Sequence, residues 1–333
     1  MSTLPTHILQ ALESLASAHQ RTQLARAAEA VSSRYRRAQN DADTLQIRDE
    51  VEAAAYACAR MPATYAAITR VLEAVGMTVP PRSMLDYGAG PGTATLAARA
   101  LWPDVAAQMV EPNAAMRRVA KHLIGDADFR DTPTQADTVS PHRFRAIARS
   151  CGDTPDTDSH LMNENRYELV VAAYVLNEVG DPAALAEKLW GACGRILVLV
   201  DSGTPAAQAM MMQVRAQLLA AGAHLHAPCP HDLACPFAGP EGWCHFSTRL
   251  SRTRLHKALK GGALGYEDET FTYLVFGRMP APSRQARIIG HPRARKVIET
   301  MVCTPAGAIE TLGIAKSDAR YKAARKARWG DVL

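Results

Sequence analysis

Residues 85–95 read LDYGAGPGTAT. Gly88, Gly90 and Gly92 stand between a short apolar run, SMLDYG, and alanine-rich text with helical spacing, so a strand, a tight turn and a helix follow one another. A turn of this kind lets backbone approach a ligand closely, and Asp86 ends the strand beside it. The order then repeats. VAAQMVEP, YELVVAAYVL and GRILVLVD read as strands, and NAAMRRVAKHLIG, DPAALAEKLWGAC and TPAAQAMMMQVRAQLLAAG as the helices between and after them. Such alternation predicts an α/β fold with a parallel sheet covered by helices on both faces. The polar stretch from Asp126 to Arg166 is expected to hide one strand and a surface loop.

One strand beyond the glycines, VEPN puts Glu111 at a strand's carboxyl end, where an acid can accept both ribose hydroxyls of an adenosine. Pro91, and the absence of basic or hydroxyl phosphate ligands, make the loop a poor pyrophosphate cradle. The pattern therefore favours S-adenosylmethionine over a nicotinamide dinucleotide, with a purely structural turn as the third reading. The cofactor set is Asp86, Gly88, Gly90, Gly92 and Glu111. The catalytic side is thin. Tyr174, Asn177 and Glu178 stand at the end of the fourth strand, where a methyl acceptor is expected. No Asn-Pro-Pro-aromatic motif accompanies them, and they serve equally as helix caps.

Around this core the chain divides into an N-terminal helical region (1–78), in which Pro62 kinks or splits the last helix, and a cofactor-binding domain (79–223). A cysteine-rich loop with a following helix (224–260) and a β-rich basic module with its tail (261–333) complete it. In CPHDLACPFAGPEGWCHF the cysteines are spaced C-x5-C-x8-C, as Cys229, Cys235 and Cys244, with Cys303 as a downstream fourth. Three thiols this close are best explained by a metal that keeps them deprotonated. The tight C-x2-C knuckles of zinc sites are absent, which favours an iron–sulfur cluster, whose four thiolates tolerate irregular loops. Zinc, with His231 or His245 as ligands, and reactive or structural thiols stay open. Trp243 and Phe246 are expected to pack over the site. Cys58 and Cys193 read as core residues, and Cys151 as a loop residue without assignment.

The net charge of +5 is unevenly spread: from Arg278 to Arg328 there are twelve Lys or Arg against Glu299, Glu310 and Asp318. A basic terminal third on a nearly neutral body points to a polyanion such as RNA. The start of the chain lacks a basic flank with a continuous apolar stretch, and no run of eighteen apolar residues occurs. A monomeric, cytosolic protein without a membrane segment is therefore expected.

CPHDLACP with WCHF, preceded by YACARMPATYAA and LDYGAGPGTAT and followed by VCTPAG and ARKARWGD, resembles the methyltransferase-like proteins associated with the small ribosomal subunit, the Rsm type of mitochondria and bacteria. The resemblance runs from about residue 50 onward. It implies a methyltransferase fold, a [4Fe-4S] cluster on Cys229, Cys235, Cys244 and Cys303, and a role in assembling or maturing the small subunit through its ribosomal RNA. In mitochondrial members it implies an assembly factor. An active RNA methyltransferase and an iron- or redox-responsive RNA-binding protein are the alternative readings.

Overall fold

The computed structural model describes residues 2–37, 47–125, 128–130, 166–237, 242–294 and 296–333. Its centre is a twisted sheet whose inner strands are apolar on both faces, as a parallel sheet covered twice requires. Strands β1 (Ser83–Tyr87), β2 (Ala106–Val110), β3 (Asp128–Arg130), β4 (Tyr167–Ala173) and β5 (Cys193–Ser202) run parallel in the order β3-β2-β1-β4-β5. β8 (Tyr266–Gly277) lies antiparallel to β5, and β6 (His224–Ala227) antiparallel to β8, closing the order β3-β2-β1-β4-β5-β8-β6. This is a Rossmann-like α/β sheet with an antiparallel strand added beside β5.

Alternation along the strands feeds two cores. Leu169, Val171, Val198 and Val200 face the layer containing the N-terminal helices, while Val170, Ala172, Leu197 and Leu199 face Leu189, Trp190, Met211 and Leu218 of the other. The first layer includes α1 (Thr6–Ser17), α2 (Arg21–Arg37), α3 (Glu50–Ala59), α4 (Met61–Val75), α5 (Thr93–Leu101) and α6 (Ala114–Ile124); the second has α7 (Pro182–Ala192) and α8 (Pro205–Ala220). Pro62 does split its helix: it occupies the first turn of α4, where a missing N–H is harmless, and the chain breaks at Arg60. None of the described helices is long and apolar enough to cross a membrane.

The strands after residue 223 go elsewhere than expected. β6, β7 (Phe246–Ser251) and β8 join the large sheet, so the boundaries drawn at 223 and 260 do not separate one sheet from another. The reason lies in β8, whose length serves two partners on one side. Residues 275–277 pair with β6 and residues 266–271 with β7. The cysteine loop is the excursion between those partners, and α9 (Arg254–Lys260) follows β7. A second, four-stranded sheet starts only at β9 (Arg287–Ile288), with β10 (Arg293–Ala294), β11 (Ile298–Cys303) and β12 (Ile309–Ile314). The tail forms a short helix, α10 (Tyr321–Ala324), and is then tied to β9: Ile288 N–H donates to Asp331 O (2.9 Å) and Gly330 N–H to Ile288 O (3.0 Å). The strand expected in the polar stretch is β3; residues 131–165, with Cys151, lie outside the described residues.

Candidate functional site

The glycine loop turns because three alternate residues take left-handed backbone, Gly88 (φ 68°), Gly90 (φ 54°) and Gly92 (φ 79°). Their roles differ. A Cβ on Gly88 would lie 2.6 Å from Val175, and one on Gly92 would lie 2.2 Å from Ile124, so both are needed for close packing. At Gly90 nothing stands within 4 Å, because its open side faces a cavity of about 460 Å³, a volume within the range of ligand pockets, about 300–1,000 Å³. Gly92 is not among the cavity's lining residues.

Asp86, Gly88, Gly90 and Glu111 line the cavity. Glu111 ties its two ends together, its carboxylate accepting from Gly90 N–H (2.8 Å) and Asn113 N–H (2.7 Å). Asp86 accepts from both the main chain (3.0 Å) and hydroxyl (2.8 Å) of Thr95, which fixes the start of α5. Burial pushes Asp86 up to about 6, with those bonds pulling back; burial also raises Glu111 against its two backbone donors. Each Glu111 oxygen keeps a lone pair beyond its backbone bond, suiting it to a pair of vicinal hydroxyls.

Of the expected acceptor-side residues, Tyr174 and Glu178 line the cavity and Asn177 does not. Asn177 is exposed, and its backbone N–H helps hold down the raised value of buried Asp201. Tyr174 is held in left-handed backbone (φ 60°), uncommon for a residue with a side chain, and its hydroxyl donates to Glu269 of β8 (3.2 Å). Glu269 also takes a two-pronged bond from Arg60 (2.8 and 2.7 Å). Tyr35 of α2 donates its hydroxyl to Glu178 (3.1 Å) and leans on Tyr56 of α3, ring centroids 6.0 Å apart. Burial first, and the charges of Glu111 and Asp201 after it, push Glu178 up to about 7, with the Tyr35 bond pulling back. Tyr35, Tyr56, Arg60 and Glu269 were not legible as site residues, since their contacts here join segments far apart in sequence.

All four cysteines, Cys229, Cys235, Cys244 and Cys303, line one small pocket under β7 and β8, together with Phe246, His231 and Arg287. They are free thiols. Burial raises Cys244 well above its ordinary value, with Cys229, Cys235 and Cys303 adding to it, and burial pushes Cys303 up to about 12. His231 Nε2 stands 3.4 Å from Cys303 Sγ, while His245 turns outward and stacks on Trp243 (5.0 Å between centroids). Among the described residues no group of three or more His, Cys, Asp or Glu side chains is arranged to hold a metal ion. Phe246 covers the pocket as expected; Trp243 does not, its indole N–H donating to Gly203 O (2.9 Å).

The basic terminal third divides by use. Arg278 stacks on Trp190 (3.6 Å) and bonds Cys193 O; Arg284 pairs with Asp232, Arg287 is buried, and Arg320 pairs with Asp318 (2.8 Å). Arg293, Lys296, Lys316, Lys322, Arg325 and Lys326 are exposed. A polyanion would meet this latter group.

Residues 50–333 match a protein-family model described as mitochondrial small ribosomal subunit Rsm22. A human protein named ribosome assembly protein METTL17, mitochondrial, is 25% identical over 301 residues, covering 84% of this chain and 61% of its own length. The Rsm22-cox11 tandem protein 2, mitochondrial, of Schizosaccharomyces pombe is 25% identical over 337 residues, covering 84% of this chain and 42% of its own. The chain thus spans about three fifths or less of these relatives. Solved structures similar to it include a SAM dependent methyltransferase from Aquifex aeolicus (13% identity, 70% of this chain, 100% of that one, TM-score 0.38). Another is the plantazolicin methyltransferase BpumL in complex with SAH (11% identity, 82% and 99%, TM-score 0.37). The expected cytosolic location is overturned: the family and both relatives are described as mitochondrial, and an apolar-run argument does not detect that address. Matched over most of its length, the chain belongs to the Rsm22 family.

Proposed function

We propose that this chain is an assembly or maturation factor of the small ribosomal subunit. In this reading it binds S-adenosylmethionine in the glycine-loop cavity, carries an iron–sulfur cluster on its four clustered cysteines, and meets ribosomal RNA through its exposed C-terminal cations. The observation that carries it is the state of the acceptor side. Tyr174 is committed to Glu269 and Glu178 to Tyr35, so the groups that would position an incoming acceptor atom already have partners elsewhere in the fold. Methyl transfer needs that atom held in line. Family membership and the name of the human relative support the assembly role.

The residues fit both groups. Bound S-adenosylmethionine supplies an electrophilic methyl on a sulfonium; the chain contributes the open face of Gly90 and the Glu111 lone pairs for the ribose hydroxyls. For the cluster, four free thiols around one pocket match the four-thiolate requirement. A cluster of several irons spreads its thiolates wider than a single ion does, which accords with thiols that share a pocket without a single-ion arrangement.

Calorimetry and co-sedimentation test the proposal together. The full chain should bind S-adenosylmethionine, lose at least about tenfold in affinity as Glu111→Ala, two hydrogen bonds being worth that or more, and lose binding as Gly88→Arg. It should co-sediment with immature small subunits. Parent affinity in both variants sinks the cofactor site; absence from the particles sinks the assembly role.

One observation favours a second reading, an active ribosomal RNA methyltransferase. Glu178, half-buried on the cavity wall and raised to about 7, has the proton affinity of a general base working near neutrality.

A further inference from the structure

In and beside the cysteine pocket stands more positive charge than its neutral thiols can use. Arg215 of α8 and Arg287 of β9 are 5% and 8% exposed. Arg215 donates to His231 O (3.2 Å) and Leu233 O (2.6 Å), and its Nε, fully buried, has no partner. Arg287 donates to Pro228 O (3.0 Å) and Gly330 O (2.8 Å), and the pairing of β9 with β11 sets it opposite Cys303. Both guanidiniums act electrostatically on Cys229 and Cys303, and Arg287 on Cys244. Among the described residues neither makes an ion pair. Asp232, the acid among this loop's described residues, is bound by Arg284 and by Leu225 N–H (3.1 Å).

Backbone carbonyls supply dipoles, and a buried guanidinium needs a net negative charge to offset its lost hydration. Four thiols supply none until they deprotonate, which is what metal binding makes them do. A four-iron cluster with four thiolates then carries about two negative charges in its oxidised state, and one-electron reduction adds another.

We infer that Arg215 and Arg287 are the charge partners of an anionic metal–thiolate group on Cys229, Cys235, Cys244 and Cys303, stabilising its loaded form and raising its reduction potential. These are positioning residues whose hydrogen bonds also shape the loop. The inference rests on the cluster reading above and extends it to residues that touch no iron.

The test uses the full chain, reconstituted anaerobically with iron and sulfide, as parent, Arg215→Met, Arg287→Met and the two lysine variants. Iron per chain, urea midpoints of loaded and metal-free protein, and the potential in a dithionite titration with viologen mediators are read. Both methionine variants should lose more midpoint in the loaded form than in the metal-free form and shift the potential to more negative values. Lysine, which keeps the charge and not the fork of hydrogen bonds, should restore most of the potential. Equal midpoint losses with and without metal and an unmoved potential would make the arginines a loop clasp only and overturn the inference. A parent that takes up no iron would instead remove the cluster reading, and this inference with it. Should a methionine variant not fold, the glutamine variant at the same position, which keeps hydrogen-bond donors without the charge, decides: its potential falls if charge is the cause and stays near the parent's if it is not.

Discussion

Glu178 sits where fold and chemistry make opposite demands. Burial favours its neutral form, raising it to about 7, while Asp86 and Asp201 rise to about 6 from the same cause. An acid raised by folding contributes stability that is fully present below its unfolded value and is lost as pH climbs through the folded one. For Glu178 that window runs from an ordinary carboxylate's range up to about 7. Glu178→Gln should therefore narrow the stability difference between about pH 5 and about pH 8, gaining on the parent at the higher pH, as read by urea midpoints of cofactor-free protein. A parallel pH profile for both proteins would mean that Glu178 is solvated. Glu111 and the glycines were legible because their chemistry is local: a strand end, a turn and a helix start within one stretch. Tyr35 was not, since a tyrosine in a helix with several arginines carries no mark that its hydroxyl meets Glu178, 143 positions later.

Three elements meet at the Arg60–Glu269–Tyr174 contact: the break between α3 and α4, the middle of β8 and the end of β4. Glu269 is 6% exposed, so removing its cation leaves a buried carboxylate uncompensated. Because the Arg60 side chain keeps about a third of its exposure, the loss for Arg60→Ala is below that of a fully buried pair, roughly 2–3 kcal/mol. Glu269→Gln should cost less, as a neutral amide still accepts from both neighbours. The urea midpoints of the two variants check the order; equal losses would show that the charge is solvated. At this scale the helical N-terminus, the split at Pro62 and the parallel strands were readable from periodicity. The destination of β8 was not. Its text is that of any β-rich run, and which sheet it joins depends on the open edge of β5, which strands far earlier in the chain create.

Across the whole molecule, the cysteine pocket joins a loop of the large sheet to the end of β11 in the small one, so in the proposed reading metal loading would be coupled to how the two sheets are held. Changing any of Cys229, Cys235, Cys244 or Cys303 to Ser should bleach anaerobically purified protein and lower its stability, whereas Cys58→Ser, in the core, should leave iron content unchanged. A colourless parent with stoichiometric zinc would replace the cluster by a zinc site. The tail is knitted to β9, so RNA affinity is better tested by charge than by deletion. Changing Lys316, Lys322, Arg325 and Lys326 to Gln should flatten the slope of log affinity against log salt by up to about 3.5, at about 0.7 to 0.9 for each phosphate no longer neutralised. An unchanged slope places the RNA surface elsewhere. The central claim is binding without efficient turnover, and the most direct measurement is transfer of tritium from labelled S-adenosylmethionine to immature small subunits, with mass mapping of the ribosomal RNA. The account predicts retained cofactor and particle binding with no stoichiometric methyl mark; one mark per particle that disappears in Glu178→Ala would contradict it.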